Sequence, residues 1–207
     1  METQPTDTLA RLQAAGPPIP TDAWSLGDEP LRAVLAAVDA GARTVAECGS
    51  GRSTVFLARR LRELGEGSVH SLEHDAGWAE RTRGWLATEG LQRAKVITAP
   101  LVAHPLAGPG PGWYDRDALA ELPAGIDLLL IDGPPANDPG LQASRHPALA
   151  ELGPKLAPRA TIILDDASRS GETEAIALWS REFGLDFVLA AESRFATGEW
   201  PLYVDRH

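Results

Sequence analysis

The segment Glu47–Thr54 has the composition of a turn that binds a ligand. Glu47 follows a short apolar run, and two glycines, Gly49 and Gly51, then flank Ser50. Gly49 can adopt a positive φ at the end of a strand, and Gly51 lets a ligand approach the backbone because it has no Cβ atom. A helix that begins directly after the turn points its free N–H groups at the same ligand. The segment therefore predicts a binding site on a strand–turn–helix unit, with a plain structural turn as the alternative.

The residues around this turn favour S-adenosylmethionine (SAM) over a dinucleotide. A dinucleotide-binding turn has a third glycine or an alanine three residues after the second glycine, where this chain has Thr54. Glu47 would place a negative charge beside a pyrophosphate, whereas it suits the ammonium group of the methionine half of SAM. The hydroxyl groups of Ser53 and Thr54 can cap the helix or bind the carboxylate of the ligand.

A second acidic residue, Glu73, ends the next predicted strand, 26 residues after Glu47. This separation is about one strand–helix–strand unit, so both strand ends lie at the same edge of a parallel sheet. A carboxylate at the tip of the second strand can accept hydrogen bonds from both ribose hydroxyls. We therefore predict that Glu73 binds the ribose and that His74 lies near the adenosine. A solvated acid at a strand end is the alternative.

Three further carboxylates follow the fourth and fifth predicted strands: Asp132, Asp165 and Asp166. Carboxylates that converge at neighbouring strand tips repel one another and raise each other's pKa values. A divalent cation removes this conflict, and Mg²⁺ prefers oxygen ligands of this kind. The cluster therefore predicts a Mg²⁺ site, with Asp132 as a catalytic and cofactor-binding residue as well. The alternative is that Asp165 and Asp166 only cap a turn or the next helix.

Four other residues are candidates for contact with a substrate. His146 precedes a predicted helix and is a candidate general base, with a capping role as the alternative; Arg145 beside it is a candidate substrate-binding residue. Trp113 and Tyr114 lie in a Gly- and Pro-rich loop between Pro100 and Pro123. Their flat rings can cover a substrate, or they can pack the loop onto the body of the protein.

The elements that position these residues alternate along the chain. Periodicity and turn residues predict strands at about 44–48, 68–73, 94–98, 126–132, 160–165, 185–191 and 199–204. One predicted helix begins at Asp28. Four others span about 52–64, 76–89, 146–157 and 171–183. The pattern is typical of a Rossmann-like, doubly wound α/β fold, with seven mostly parallel strands and helices on both faces. The last strand is expected to be antiparallel, because the run 192–199 is too short for a crossover.

Composition limits the functional classes. The net charge is −10 and lysine occurs only at Lys95 and Lys155, which argues against a nucleic-acid partner. Neither an apolar run of membrane-spanning length nor a signal peptide is evident, so we expect a cytoplasmic protein that does not interact with membranes. We expect residues 1–20 to be a connector and residues 21–207 to form a single domain. Oligomeric state is left open, with a homodimer as one hypothesis.

Four motifs together resemble the class I SAM-dependent methyltransferases, from about Leu31 to the C-terminus. They are Glu47-Cys48-Gly49-Ser50-Gly51-Arg52-Ser53-Thr54, Ser71-Leu72-Glu73-His74-Asp75, Ile131-Asp132-Gly133-Pro134-Pro135 and Leu164-Asp165-Asp166. Within this class the chain is most similar to small O-methyltransferase-like proteins with a Gly-Ser-Gly-x-Ser-Thr loop. The acidic cluster also resembles that of the cation-dependent catechol-type enzymes. Those enzymes have Asn in place of Asp166 and a lysine where this chain has Gly133.

The resemblance implies a SAM-dependent methyltransferase that acts on a small-molecule hydroxyl, with assistance from a divalent metal as a further hypothesis. Two other functions stay open at this stage. One is a non-catalytic SAM-binding protein with a regulatory or assembly role, because fold does not fix function. The other is an NAD(P)-dependent oxidoreductase, against which Glu47 and Thr54 argue.

Overall fold

The computed structural model describes residues 7–190 and 194–202. Within them the strands are β1 (Thr44–Cys48), β2 (Ser68–Glu73), β3 (Ala94–Thr98), β4 (Leu101–Ala103), β5 (Pro111–Tyr114), β6 (Ile126–Ile131), β7 (Leu156–Leu164), β8 (Phe187–Leu189) and β9 (Ala196–Glu199). The helices are α1 (Thr8–Ala14), α2 (Asp28–Asp39), α3 (Arg52–Leu64), α4 (Ala76–Thr88), α5 (Arg116–Ala120), α6 (Ala148–Leu152) and α7 (Ser170–Phe183), and a 3₁₀ turn spans Gly153–Lys155.

Seven of the described strands form one sheet in the order β3-β2-β1-β6-β7-β9-β8. The first five strands in this order pair in parallel, and β9 pairs antiparallel with β7 and with β8. Chain order reverses between β1 and β6, and crevices for ligands form at such reversals. The predicted Rossmann-like fold and the antiparallel direction of the last strand are confirmed.

Apolar residues cover both faces of the sheet because successive side chains of a strand point in opposite directions. In β6, Leu129 and Ile131 pack with Trp113 and Trp179 on one face. On the other face Leu128 and Leu130 pack among the side chains of α1, α2 and α3. Burial on both faces explains why β6 is a nearly continuous apolar run.

Several element boundaries differ from the prediction. Residues 1–20, expected to be a connector, contain α1, whose Leu9 and Leu12 are buried in the core. The helix predicted over 146–157 is shorter because Pro154 lacks an N–H group and interrupts it, and β7 begins at Leu156. The loop between Pro100 and Pro123 contains the β4–β5 hairpin and α5.

The last two strands are also displaced along the sequence. β9 spans Ala196–Glu199, a stretch that the sequence pattern assigns partly to a loop, and it ends where the predicted strand 199–204 begins. β8 covers only Phe187–Leu189 of the predicted strand 185–191. Residues 191, 203 and 204 of these predictions lie outside the described residues. Within the described part of the chain, none of the helices has both the length and the apolar character needed to cross a membrane.

Candidate active site

A cavity of about 1050 Å³ opens at the carboxyl ends of β1, β2, β6 and β7. Its wall includes Gly49 and Ser50 after β1, Glu73 and His74 at β2, Asp132 after β6, and Asp165 and Asp166 after β7. The cavity therefore lies at the reversal of strand order, and it brings the three predicted groups of residues together.

The glycine turn after β1 has the backbone conformation that the sequence predicts. Gly49 and Gly51 have φ angles of 99° and 147°, which favour glycine. The Gly49 N–H donates to the Leu72 carbonyl at 2.8 Å, which fixes the turn against β2. From α4, the Trp78 indole N–H donates to the Ser50 carbonyl at 2.6 Å. Gly51 lies under this indole and is not in the cavity wall.

Glu73 is held rigidly at the edge of the cavity. One of its carboxylate oxygens accepts from the N–H and the hydroxyl of Ser50, both at 3.0 Å. The other oxygen accepts from the Asp75 N–H at 2.9 Å and lies 3.1 Å from Nδ1 of His74. A carboxylate has about four acceptor sites, and the three hydrogen bonds from Ser50 and Asp75 leave one, on the oxygen beside His74, for a ligand in the cavity.

Glu47 lies beneath the turn and is not in the cavity wall. Its Oε2 atom accepts from the hydroxyls of Thr54 and Ser71, at 2.7 and 2.6 Å. Among the described residues, its Oε1 atom has no hydrogen-bond partner, and burial raises the pKa of Glu47. Thr54 also accepts from the Gly51 N–H at 3.1 Å, so its hydroxyl caps α3. Ser53 is buried outside the cavity wall.

The carboxylates of Asp132, Asp165 and Asp166 converge, with one oxygen of each within 4.8 Å of the others. Burial, and then repulsion from Asp165, raises the pKa of Asp132 well above its usual value. Burial also raises the pKa of Asp165. Asp166 has a φ of 56°, a left-handed conformation that a non-glycine residue rarely adopts.

Arg145 links the backbone segments that carry this cluster through hydrogen bonds. Its guanidinium group donates to the carbonyls of Pro134, Asp165 and Asp132, at 3.1, 3.0 and 2.8 Å. It also lies 3.3 Å from the buried carboxylate of Glu172. Arg145 was predicted to bind substrate, and it does contribute to the cavity wall, but these contacts show that it holds the ends of β6 and β7 in place.

Two more arginines neutralise the cluster. Arg194 donates to Oδ1 of Asp166, and Arg169 forms an ion pair with Oδ2 of the same residue. Arg145 lies 3.9 Å from the Asp132 carboxylate and 4.0 Å from that of Asp166. Three guanidinium groups thus face three carboxylates, and both oxygens of Asp166 are engaged. The cluster fits a resident divalent cation poorly for this reason, and the Mg²⁺ site that the sequence predicts is left to experiment.

Two of the four candidates for contact with a substrate lie away from the cavity. The imidazole Nε2 of His146 donates to the Gly171 carbonyl at 3.0 Å, and the residue is not in the wall. His146 is therefore not retained as a general base. Trp113 is fully buried in the core, which corresponds to the packing alternative. Tyr114, the next residue, does contribute to the wall.

One side of the cavity is not predicted by the sequence. Most of the segment 23–30 lines it, including Trp24, whose surface is 65% exposed. Trp78, Asn137, Arg169 and Arg194 also contribute to the wall. One local pattern in the sequence could have indicated part of this wall. Asp75 is an N-cap residue after the strand of Glu73, which predicts that α4 begins beside the turn.

Comparison with known proteins places the chain in a family. Residues 46–167, more than half of the sequence, match the family described as Methyltransferase domain. This match begins in β1 and ends just after Asp166, so it spans the glycine turn, Glu73 and the acidic cluster. No curated protein matches the sequence.

Solved structures of methyltransferases share the fold. The Bacillus cereus O-methyltransferase in complex with SAH is 21% identical, with a TM-score of 0.57 over 93% of this chain and 88% of that one. The Streptomyces achromogenes O-methyltransferase TomG in complex with SAM is 16% identical, with a TM-score of 0.58 over 96% and 91%. SAH-bound PaMTH1 from Podospora anserina is 14% identical, with a TM-score of 0.64 over 95% and 88%. With the match of residues 46–167, these findings show that the chain belongs to the Methyltransferase domain family.

Proposed function

We propose that the protein transfers a methyl group from SAM to a hydroxyl group of a small molecule. One observation carries the proposal: a single cavity of about 1050 Å³ joins the glycine turn, Glu73 and the acidic cluster. Pockets for small ligands usually measure about 300–1,000 Å³, and this cavity lies at the top of that range, as a site for a cofactor of the size of SAM and a small acceptor requires. SAM-bound and SAH-bound O-methyltransferases of the same fold support this choice.

The β1–β2 side of the cavity suits the cofactor. Glu73 has free acceptor capacity where ribose hydroxyls bind in folds of this type, and His74 lies beside it. Gly49 and Ser50 present backbone to the ligand, while Gly51, Ser53 and Thr54 act through the shape of the turn. Charge agrees as well, because SAM is a cation overall and acidic residues outnumber basic ones in the wall. The acids are Asp28, Glu29, Glu73, Asp75, Asp132, Asp165 and Asp166, and the bases are Arg145, Arg169 and Arg194.

Glu47 contributes to cofactor binding from below the turn. Its carboxylate lies outside the cavity wall, so it does not contact the cofactor ammonium group directly. When it is ionised, its negative charge favours a cation above Gly49 and Ser50, because a buried site has a low local dielectric constant.

The β6–β7 side suits the acceptor and its proton. When bound, SAM supplies a methyl group that its sulfonium already activates, so the protein contributes mainly alignment. A carboxylate oxygen of Asp132, in the cavity wall, takes the proton that the acceptor hydroxyl loses. Its raised pKa makes it a stronger base than an exposed aspartate, which brings it closer to a working pH. Asp165 and Arg145 hold Asp132 in position.

Two experiments in sequence test the proposal. Calorimetric titrations with SAM and with NAD⁺ come first, and we expect binding of SAM alone; binding of NAD⁺ instead would favour an oxidoreductase. Methyl transfer from labelled SAM is then measured against a panel of small hydroxyl compounds, with Asp132→Asn as the matched control. Binding without transfer to any compound would favour a non-catalytic protein. Cytoplasmic location and a homodimer stay predictions.

A further inference from the structure

Tyr114 has a buried hydroxyl group for which the proposed mechanism has no use. The residue ends β5 and is 1% exposed, yet it contributes to the cavity wall. Among the described residues its hydroxyl has no hydrogen-bond partner. Leaving such a group unsatisfied is costly, and buried hydroxyls in native proteins normally have a partner. A group that the protein leaves unpaired at the wall of a binding cavity is therefore suited to a ligand.

The hydroxyl lies at the reversal of strand order. A Cβ atom placed on Gly133, directly after Asp132, would lie 2.7 Å from the Tyr114 oxygen. The same position is 3.1 Å from the Gly49 backbone nitrogen and 3.2 Å from the Cys48 carbonyl carbon. Gly133 does not have a positive φ, so its backbone does not require glycine. It is the space beside Tyr114 that requires glycine here.

The ring of Tyr114 cannot turn away from this position. Its backbone pairs with Leu101 in the β4–β5 hairpin, and its ring packs against Trp113 in an edge-to-face arrangement at 5.0 Å. Burial raises the pKa of Tyr114 well above its usual value, so the hydroxyl keeps its proton and acts as a donor. A donor held in place in this way forms a hydrogen bond with little loss of conformational entropy.

We infer that the Tyr114 hydroxyl donates a hydrogen bond to the bound cofactor between the ends of β1 and β6. This inference rests on the proposed function and assigns Tyr114 to the cofactor, whereas the sequence leaves two roles open for it, over a substrate or in the packing of its loop. The bond goes to an oxygen or nitrogen acceptor that SAM and S-adenosylhomocysteine (SAH) share, because a sulfonium has a positive charge and does not accept from O–H.

The test is Tyr114→Phe, which keeps the ring and its packing and removes only the hydroxyl. Calorimetry of the wild-type protein and the variant with SAM and with SAH is expected to show an affinity loss of about 3- to 10-fold for both ligands, which corresponds to one hydrogen bond. Thermal unfolding without ligand is expected to give an unchanged or higher midpoint, because the variant loses a buried group that has no protein partner.

The other outcomes overturn either the inference on Tyr114 or the proposed function. Equal affinities in the wild-type protein and the variant overturn the inference, and so does a loss that is confined to SAM. A lower midpoint without ligand shows that the hydroxyl serves the fold and also overturns it. Failure of the wild-type protein to bind SAM overturns the proposed function itself, and the two failures are therefore distinguishable.

Discussion

The two sides of the cavity hold their carboxylates in different ways. On the β1–β2 side, Glu73 is fixed by neutral donors, chiefly the N–H and hydroxyl of Ser50 and the N–H of Asp75. On the β6–β7 side, the acidic cluster is fixed by guanidinium groups of Arg145 and other arginines. Neutral donors orient a carboxylate and leave its charge in place, whereas guanidinium groups also cancel the charge.

This difference matches the two tasks that we propose. A cationic cofactor is attracted by the uncancelled charge of Glu73. A neutral hydroxyl acceptor needs no such attraction. The raised pKa that suits Asp132 as a proton acceptor comes from burial and from Asp165, while Arg145 opposes it. On the β6–β7 side, however, the stability of the carboxylates depends on a few arginines. Removal of one partner from a buried ion pair leaves an uncompensated charge, so the β6–β7 side is expected to be the more sensitive to a single substitution.

The largest expected effect is therefore that of Arg145→Ala. The substitution removes three hydrogen bonds to carbonyl groups and the countercharge of Glu172, and loss of one partner of a buried pair costs roughly 3–5 kcal/mol. We expect a decrease of this size in the free energy of unfolding, measured by urea denaturation. Arg194→Ala is the matched control, because its side chain is 74% exposed. Equal effects of the two substitutions would contradict the central role of Arg145.

On the cofactor side, Glu73→Ala is expected to weaken SAM binding with little change in transfer chemistry. Loss of hydrogen bonds to a charged group corresponds to about 1.5–3 kcal/mol, or roughly 10- to 150-fold in the dissociation constant. Calorimetry with SAM measures the effect. Glu80→Ala on α4 is the control, because its side chain is 78% exposed. Unchanged affinity in the Glu73 variant would remove this residue from the ribose role.

The same two sides differ in how far the sequence predicted them. The glycine turn, Glu73 and the strand order follow from local patterns, because residues near one another in the chain determine a strand, a turn and a helix start. The convergence of Asp132, Asp165 and Asp166 also follows, since the carboxyl ends of parallel strands meet at one edge.

The arginines that neutralise the cluster did not follow from the sequence. Arg194 is 28 residues from its partner Asp166, and no periodic pattern connects two residues so far apart. His146 shows the same limit. Its position before a helix was recognised, but the direction of its ring depends on packing against α7, where the Gly171 carbonyl accepts from it. The wall from the segment 23–30 arises because α1 and α2 fold onto the core, which tertiary contacts decide.

A smaller effect on the cofactor side depends on pH. Burial raises the pKa of Glu47 from 4.5, so above that value the native state binds more protons than the unfolded state. The free energy of unfolding therefore falls as the pH rises through the raised pKa of Glu47, by at most about 1.4 kcal/mol per pH unit for one group. Glu47→Gln lacks this group, so its stability relative to the wild-type protein is expected to increase with pH. Urea denaturation from pH 4 upward measures the difference, and a constant difference would show that burial does not shift the Glu47 pKa.

The smallest expected effect is that of metal removal. Arg145, Arg169 and Arg194 already supply the positive charge that Mg²⁺ would bring to the cluster. After treatment with EDTA and dialysis, we therefore expect SAM affinity, and transfer to an acceptor once one is found, to stay within about twofold of the untreated protein. A twofold change is about 0.4 kcal/mol, less than one hydrogen bond contributes. Calorimetry with Mg²⁺ should show no specific binding.

Metal removal tests whether the arginines or a cation neutralise the acidic cluster on the β6–β7 side. If EDTA abolishes transfer and Mg²⁺ restores it, the arginines do not replace the cation, and the three aspartates are metal ligands as the sequence predicted. Oxygen–Mg²⁺ distances near 2.0–2.1 Å are then expected in a crystal of the loaded protein. Arg169→Gln sharpens the result, since it removes one countercharge from Asp166. If this variant binds Mg²⁺ while the wild-type protein does not, the arginine is what keeps the cation out of the cluster.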